Sequence, residues 1–200
     1  MSPAKRAFDL IAAGTGVVLL SPLFGIVALA IKMSDGGPVF YRQERVGRGG
    51  ELFRIWKFRT MVADADKRGG PLTVGRDPRI TATGHWLRKT KLDELPQLFN
   101  VLAGTMSLVG PRPEVPRYVA LYHDEQRRVL ELTPGITDPA SIHFRNESDV
   151  LAGTDDPETY YIRQIIPEKI RINITYADGA NVLTDFYSIL KTVWVLGRAK

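Results

Sequence analysis

The chain has 200 residues, a length that suits one domain with a core of its own. It contains no cysteine, which excludes a disulfide framework and a thiolate metal site. The formal net charge is +5, and it falls within residues 1–60, which hold nine basic and four acidic residues. A basic N-terminal portion indicates a polyanionic partner such as phospholipid, nucleic acid or a phosphorylated substrate.

An uncharged apolar stretch runs from Leu10 to Ile31. It is long enough to cross a bilayer, which needs roughly 20 residues. It lacks the cleavage site of a secretory signal, and Lys32 follows it directly. Basic residues flank both of its ends, and the positive-inside rule therefore places both ends on the cytoplasmic side.

Ser21 and Pro22 lie in the middle of this stretch. Proline removes an amide donor and bends or breaks a helix, and the Ser21 hydroxyl is within reach of the carbonyl of Val18 that loses its partner. Each arm is about 15 Å long, half of a hydrocarbon core. We therefore predict a re-entrant membrane helix over about residues 8–33, broken at Ser21-Pro22, with a single kinked span as the alternative.

After Pro38 the sequence has two runs of aromatic and β-branched residues around a glycine-rich turn. This pattern predicts a β-hairpin with strands near residues 39–43 and 52–58. The following segment, residues 61–84, is rich in turn-forming residues and predicts a loop with a short helix at its start.

The remainder predicts a mainly helical α+β fold, with a compact catalytic part over about residues 34–200 at the membrane surface. We expect a single domain over residues 1–200. The predicted helices cover residues 84–89, 93–102, 116–122, 124–130 and 155–176. The C-terminal stretch has an apolar side that either packs inward, which we favour, or lies on a membrane surface. That side comprises Leu183, Phe186, Ile189, Leu190 and Val193.

Two adjacent carboxylates, Asp93 and Glu94, stand at the start of one predicted helix. Acidic residues are common there because they complement the helix dipole, so the pair alone does not establish a site. A chemical role is the alternative, in which one carboxylate attacks and the other binds Mg²⁺. This cation commonly uses one or two carboxylates plus phosphate oxygens. Pro96 fits a first turn because its missing amide proton costs little there.

Basic residues near this pair make a diphosphate a fitting substrate. Lys57 and Arg59 are predicted on one face of the second strand, and Arg88 precedes the carboxylates. Arg112 stands between two prolines, whose rigid backbone limits where its guanidinium points. Cations at these four positions would bind phosphate oxygens while a carboxylate attacks phosphorus. Taken singly, each of them is better explained as a solvated surface residue, and only the set points to a phosphate site.

Several segments form an ordered set along most of the chain. They are KRAFDLIAA, LLSPLFGIVALAIKM, GGPVFYRQERVG, FRIWKFRTM, GHWLRKTKLDELPQLFNVLAGTMSLVGPRPE and TPGIT. Together they resemble the small monotopic bacterial phosphoglycosyl transferases, the bacterial sugar transferase family. The most specific part is LDELPQLFNVL followed by MSLVGPRP. Residues 138–156 depart from the Gly-Trp-Ala-Gln stretch that many relatives have there, which leaves the sugar and nucleotide preference open.

The resemblance implies the first membrane step of surface glycan synthesis. A UDP-sugar gives its phosphosugar to polyprenol (undecaprenyl) phosphate, and the products are polyprenyl diphosphosugar and UMP. Asp93 would be the nucleophile that forms an aspartyl-phosphosugar intermediate, and Glu94 would associate with Mg²⁺. Lys57, Arg88 and Arg112 match basic positions of the family's active site. Ser21 and Pro22 match the break in its re-entrant helix.

The implied location is the cytoplasmic face of the bacterial inner (plasma) membrane, with monotopic insertion. The expected partners are a UDP-sugar, undecaprenyl phosphate and the phospholipid bilayer, with no nucleic acid, and a homodimer stays open. A non-enzymatic alternative follows from the basic N-terminal portion alone. A membrane-tethered adaptor would bind acidic lipid or nucleic acid in a salt-dependent manner and would release no UMP.

Overall fold

The apolar N-terminal segment forms one long helix, α1 (Pro3–Asp35), in the computed structural model. Ser2 caps its first turn by accepting a hydrogen bond from the Lys5 amide at 3.2 Å. Gly36 ends it in the left-handed conformation, with φ of 70°. The structure describes residues 1–70, 72–75 and 77–198. Residues 71, 76, 199 and 200, which belong to the predicted loop and domain, lie outside the described residues.

The middle of α1 was predicted to break at Ser21-Pro22. The Ser21 hydroxyl donates to the Val18 carbonyl at 2.8 Å, and this is the carbonyl that Pro22, which has no amide proton, leaves without its helical donor. Helical structure nevertheless continues through both residues, so the structure does not divide the segment into two helices. The re-entrant path therefore stays a prediction.

Most of α1 is not covered by the rest of the protein. Its most apolar 18-residue window has a mean hydropathy of 2.2, and 11% of that window is buried. Length and composition are therefore sufficient for a membrane-crossing helix, and low burial distinguishes it from a core helix of a soluble domain. The exposed apolar side chains are Leu10, Ile11, Val18, Leu19, Ile26, Leu29 and Met33.

The predicted hairpin is confirmed. Strands β1 (Phe40–Val46) and β2 (Leu52–Phe58) pair antiparallel, with Phe40 opposite Phe58 and Val46 opposite Leu52. The second strand has the predicted bounds, and the first begins one residue later and ends three residues later than predicted. Phe58 is buried in a cluster with the α1 residues Val27 and Ile31, so the hairpin packs on the C-terminal half of α1.

Beyond α1 and the hairpin, the described residues form mostly short helices and two further strands. In chain order these elements are α2 (Ala65–Arg68), α3 (Ala82–Thr90), a 3₁₀ helix (Leu92–Gln97), α4 (Leu98–Ala103), β3 (Ser107–Val109), α5 (Pro116–Val119), α6 (Asp124–Arg127), a 3₁₀ helix (Arg128–Glu131), β4 (Gly135–Thr137), α7 (Pro139–His143), α8 (Glu147–Ala152), α9 (Pro157–Tyr160), a π-helix (Tyr161–Ile165), α10 (Ile166–Asp178) and α11 (Val182–Gly197). A short 3₁₀ turn, Arg48–Gly50, closes the hairpin. The predicted, mainly helical α+β class is thus confirmed.

Strands β3 and β4 form a parallel pair that the sequence pattern did not predict. The two backbones approach closely at Gly110 and Gly135. A Cβ atom on Gly135 would lie only 2.1 Å from the Gly110 amide nitrogen. Glycine is therefore required at this contact. The pair fixes the start of the loop that carries Arg112.

The C-terminal helix α11 contradicts the preferred expectation that its apolar side packs inward. Leu183 and Val193 on that side are 79% and 64% exposed. The helix instead buries Asp185 and Ser188, and Asp185 accepts a hydrogen bond from Tyr176 at 2.9 Å. Polar partners on other elements therefore decide which face of α11 is buried.

Candidate active site

Asp93 and Glu94 lie in the 3₁₀ helix Leu92–Gln97 and not in the first turn of an α-helix as predicted. Just before it, Lys91 has a left-handed backbone with φ of 57°, the one positive φ among the described non-glycine residues. This conformation is uncommon for lysine and turns the chain between α3 and the 3₁₀ helix. Because a 3₁₀ helix has three residues per turn, neighbouring side chains point about 120° apart. The two carboxylates therefore meet different surroundings.

Glu94 pairs with Lys57 and Arg112, two of the predicted phosphate-binding residues, which come from other segments of the chain. Its Oε1 and Oε2 atoms accept hydrogen bonds from Arg112 Nη2 at 2.5 Å and Nη1 at 2.8 Å. Lys57 Nζ lies 3.3 Å from the same Oε1. Burial alone would raise the pKa of Glu94, but Arg112 and Lys57 lower it well below the ordinary value of 4.5. Glu94 is therefore ionised at neutral pH.

Lys57 and Arg112 respond to this contact in opposite directions. Burial lowers the pKa of Lys57 to about 8, and the opposing attraction of Glu94 does not restore it. The Glu94 charge raises the pKa of Arg112 above its ordinary value. The bidentate Arg112–Glu94 pair is thus permanently charged, whereas Lys57 can lose its proton in a mildly alkaline solution.

Asp93 is 5% exposed, and its Oδ1 atom is buried without a hydrogen-bond partner among the described residues. Burial, followed by the neighbouring Glu94 charge, raises the pKa of Asp93 above its ordinary value, while Lys57, Lys91 and Arg88 oppose the rise. A buried carboxylate oxygen normally has a partner, so its absence makes Asp93 a candidate for a functional role.

The loop of residues 110–114, here called the Arg112 loop, is held by residues that the sequence analysis missed. Arg45 donates to the Pro113 carbonyl at 3.0 Å, and the Val46 amide donates to the Glu114 carbonyl at 2.9 Å. The Glu114 side chain accepts from the Tyr161 hydroxyl at 2.5 Å. No spacing signal joins these residues, because they come from β1, the loop and the π-helix.

The other two predicted phosphate-binding residues have different positions. Arg88 lines the same cleft as Asp93 and Glu94, and its guanidinium nitrogens donate to Thr73 Oγ1 at 3.4 Å. Arg59 follows the end of β2 and pairs with Asp35 at the end of α1. The structure therefore brings Lys57, Arg88 and Arg112 together with the carboxylates but does not bring Arg59 to them.

The site opens into a cleft of about 1270 Å³. Its walls include residues from the segment 138–156, which forms α7 and α8. Ser148 donates to the Thr73 carbonyl at 3.3 Å, and Thr73 in turn contacts Arg88. Arg145 also lines the cleft and is exposed. The segment that departs from the family pattern is thus part of the site's wall.

The predicted Mg²⁺ site depends on Glu94. No cluster of three or more His, Cys, Asp or Glu side chains occurs among the described residues, so a complete protein cage is not formed. Glu94 accepts three hydrogen bonds out of about four lone-pair positions of a carboxylate. One position remains, so Glu94 fits a Mg²⁺ ion that takes its other ligands from phosphate and water.

Asp93, whose Oδ1 atom has no partner among the described residues, thus lies in a cleft with three cations, and α1 presents an exposed apolar surface beside this site. A family model described as "Bacterial sugar transferase" matches residues 1–199. The chain belongs to the bacterial sugar transferase family, as the sequence resemblance predicted.

Individual relatives carry more specific names. The chain is 43% identical over 156 residues to "UDP-glucose:undecaprenyl-phosphate glucose-1-phosphate transferase" of Escherichia coli K12, covering 74% of this chain and 32% of that protein. It is 42% identical over 205 positions to "Exopolysaccharide production protein ExoY" of Rhizobium meliloti, covering 95% and 84%. It is 45% identical over 166 residues to an Aeromonas hydrophila "UDP-N-acetylgalactosamine-undecaprenyl-phosphate N-acetylgalactosaminephosphotransferase", covering 80% and 39%. The chain thus spans about a third of the Escherichia coli protein.

Proposed function

We propose that this protein transfers a phosphosugar from a UDP-sugar to undecaprenyl phosphate and thereby starts the assembly of a surface glycan. The observation that carries the proposal is the buried, unpartnered Asp93 oxygen in a cleft that also presents Lys57, Arg88 and Arg112. The names of the relatives, which specify UDP-sugars and undecaprenyl phosphate, support the same substrates. They favour a transferase over the basic adaptor considered above.

The reaction has two in-line steps at phosphorus. In the first, an Asp93 carboxylate oxygen attacks the phosphorus that bears the sugar, and the bond from that phosphorus to the bridging oxygen breaks. UMP leaves with the bridging oxygen and its electron pair. In the second, a phosphate oxygen of undecaprenyl phosphate attacks the same phosphorus, and the bond to Asp93 breaks. A covalent intermediate lets two substrates of very different solubility react in turn.

The three cations of the cleft have separate tasks in this proposal. Arg112 is held by Glu94, which presents the guanidinium, with its side chain 32% exposed, toward the cleft. Arg88 makes only long contacts of 3.4 Å to Thr73 within the described chain and is free to bind a diphosphate. Lys57 adds a charge that is present below its pKa of about 8. Together they offset the repulsion between the Asp93 carboxylate and the phosphate oxygens.

A Mg²⁺ ion would be held by Glu94, together with phosphate oxygens of the substrate, and Asp93 would stay available to attack phosphorus. When bound, it supplies positive charge that stabilises the leaving UMP phosphate. The competition with Arg112 and Lys57 for Glu94 predicts that the ion binds weakly without the nucleotide.

We also propose that α1 enters only the cytoplasmic leaflet and returns. The basic residues at both ends and the exposed apolar surface of α1 support this topology. The chain has no cysteine, so single cysteines can be introduced as Ser2→Cys and Arg198→Cys. In intact cells an impermeant thiol reagent should label neither. Labelling of one end alone would establish a complete span.

The activity is tested with purified full chain, undecaprenyl phosphate, Mg²⁺ and a panel of UDP-sugars, and UMP release is measured. We expect one or a few UDP-sugars to give UMP together with a polyprenyl diphosphosugar. The proposal would be contradicted if no UDP-sugar of the panel gave UMP. It would also be contradicted if UMP release continued beyond a single turnover in the absence of undecaprenyl phosphate.

A further inference from the structure

The first turns of α1 carry charged residues that are turned toward the protein. Lys5 and Arg6 are adjacent and lie about one turn before Asp9, just before the apolar stretch begins. Asp9 is completely buried, with 0% exposure, and Lys5 and Arg6 are half-buried. Charges that served only to mark the end of a membrane helix would point to water or lipid headgroups. Each of these side chains instead makes a contact with a defined backbone group.

Asp9 and Lys5 bind the strand that leads into the Arg112 loop. Asp9 Oδ1 accepts a hydrogen bond from the Leu108 amide at 3.1 Å. Lys5 Nζ donates to the Val109 carbonyl at 3.0 Å and also pairs with Asp185 of α11. Leu108 and Val109 belong to β3, and Arg112 follows three residues after Val109. The contacts of α1 therefore fix the position of the strand that leads into the Arg112 loop.

Arg6 binds the other segment that carries site residues. Its guanidinium donates to the carbonyls of Val101 at 2.6 Å and Leu102 at 3.1 Å, in the last turn of α4. The Val101 carbonyl also accepts a hydrogen bond from the Gly104 amide at 3.1 Å, so Arg6 adds side-chain donors to the C-terminal end of this helix. Helix α4 continues directly from the 3₁₀ helix that contains Asp93 and Glu94. The N-terminal end of α1 thus contacts two segments. One is α4, which continues from the 3₁₀ helix that carries Glu94, and the other is β3, which leads to Arg112.

Simple anchoring does not require this arrangement. Asp9 Oδ2 is buried without a hydrogen-bond partner in the described part of the chain. Burying a carboxylate in this way is unfavourable, and well-packed apolar residues often stabilise a fold as well as buried charges do. The charged contacts do provide fixed positions, because each one specifies a donor and an acceptor.

We propose that Lys5, Arg6 and Asp9 are positioning residues for the phosphosugar-transfer site, because they hold β3 and α4 at the separation that the Arg112–Glu94 pair requires. This inference rests on the proposed function for its catalytic consequence. It makes the membrane helix a structural part of the active site as well as an anchor. A small shift of either segment would move Arg112 or Asp93 relative to the phosphate, and displacements near 1 Å can cost about 100-fold in rate.

The test uses the full chain in lipid nanodiscs and compares Asp9→Ala with Asp9→Asn. Alanine removes the acceptor for the Leu108 amide, whereas asparagine keeps an acceptor oxygen in the same position. Ile11→Ala is the matched control, because Ile11 lies on the same helix and is 70% exposed. Two quantities are measured: hydrogen exchange of the amides in residues 107–112, and kcat and KM for UMP release at a temperature where every variant is folded.

We expect Asp9→Ala to speed exchange in residues 107–112 and to lower kcat about 10- to 100-fold with a smaller change in KM. Asp9→Asn should recover most of both effects, and Ile11→Ala should match the wild type. Unchanged exchange in Asp9→Ala would overturn the inference. So would faster exchange with unchanged kcat, because the contacts would then be structural only.

A second variant covers the case in which Asp9→Ala does not fold. The double substitution Lys5→Met and Asp185→Asn removes the Val109 contact without leaving a buried, unpaired carboxylate on α11. It should speed exchange in residues 107–112 and lower kcat to a smaller extent, and wild-type behaviour in both would overturn the inference. If the wild type releases no UMP, the proposed function fails, and hydrogen exchange alone still decides whether α1 holds these segments.

Discussion

Two arginine–carboxylate pairs in this protein have the same chemistry but different surroundings. Arg112 pairs with Glu94 at the wall of a cleft, with its side chain 32% exposed and with an unpartnered carboxylate beside it in the 3₁₀ helix. Arg59 pairs with Asp35 at the end of α1, and its side chain is 6% exposed. A substrate phosphate can reach the first guanidinium but has little access to the second.

The sequence did not separate these two arginines, since both lie near other basic residues. The two arginines differ because the fold places their chain segments in different surroundings. Arg59 packs so closely on Gly37 that a Cβ atom there would lie 2.4 Å from its Nη1 atom. Arg59 therefore closes the junction between α1 and the hairpin, whereas Arg112 stays at the cleft. The comparison indicates that an arginine's accessibility, and not its proximity in sequence, distinguishes a binding role from a structural one.

The largest expected effect is that of Asp93→Asn. The amide keeps the size of the side chain but removes the attacking carboxylate, so UMP release should fall to background. Asp77→Asn is the matched control, because Asp77 is also a buried carboxylate but pairs with Arg79 outside the cleft. It should retain turnover. Comparable activity of Asp93→Asn and wild type in steady-state UMP release would show that Asp93 is not the nucleophile.

Arg112→Gln should have the next largest effect. It removes a charge from the phosphate and leaves Glu94 with Lys57 alone, so kcat/KM should fall about 10²–10³-fold, as with the loss of a preorganised transition-state donor. Arg112→Lys keeps a charge but not the bidentate contact and should recover only part of the loss. Steady-state kinetics with the preferred UDP-sugar provide the measurement, and full recovery by lysine would show that the fork geometry is unimportant.

The pH dependence tests the role of Lys57. Because burial lowers the pKa of Lys57 to about 8, activity should decline as the pH rises through that value and the proton is lost. Lys57→Arg retains its charge and should move the alkaline limb of the kcat/KM profile upward by about one pH unit or more. On the acid side, the raised pKa of Asp93 places the loss of activity above 3.8, the ordinary value. An alkaline limb that is identical in wild type and Lys57→Arg would assign it to another group.

Arg59→Gln should have the smallest effect on activity. Loss of its pair with Asp35 weakens the junction of α1 and the hairpin, and a cost near 1 kcal/mol would lower the unfolding midpoint by about 2–4 °C. UMP release at a permissive temperature should stay within about twofold of wild type. A loss as large as that of Arg112→Gln would place Arg59 in the substrate site after all and would remove the distinction between the two pairs.

Local patterns predicted the parts of the fold that depend on neighbouring residues. The bounds of β2 were right because alternation and a glycine-rich turn define a hairpin within one segment. The pairing of β3 with β4 was missed, since it joins short segments far apart in sequence and depends on the close approach of Gly110 and Gly135. The prediction of which face of α11 is buried was wrong, because the partners of Asp185 lie on α1 and α10.

The site shows the same division. The motif residues Asp93, Glu94, Lys57 and Arg112 were identified from the sequence and do come together. The backbone conformation of Asp93 and Glu94 was not predicted, because the turn at Lys91 produces a 3₁₀ helix where an α-helical start was expected. The supporting residues Arg45, Glu114 and Tyr161 were missed, since each acts through a tertiary contact that has no local signature.

In the proposed reaction, Asp93 carries the phosphosugar between the two substrates. The most direct measurement is the intact mass of the protein after incubation with its UDP-sugar and Mg²⁺ in the absence of undecaprenyl phosphate. We predict a mass increase of one phosphosugar on the wild type that disappears when undecaprenyl phosphate is added, and no increase on Asp93→Asn. The same increase on Asp93→Asn, or rapid turnover of the wild type with no detectable adduct in rapid-quench samples, would contradict the account.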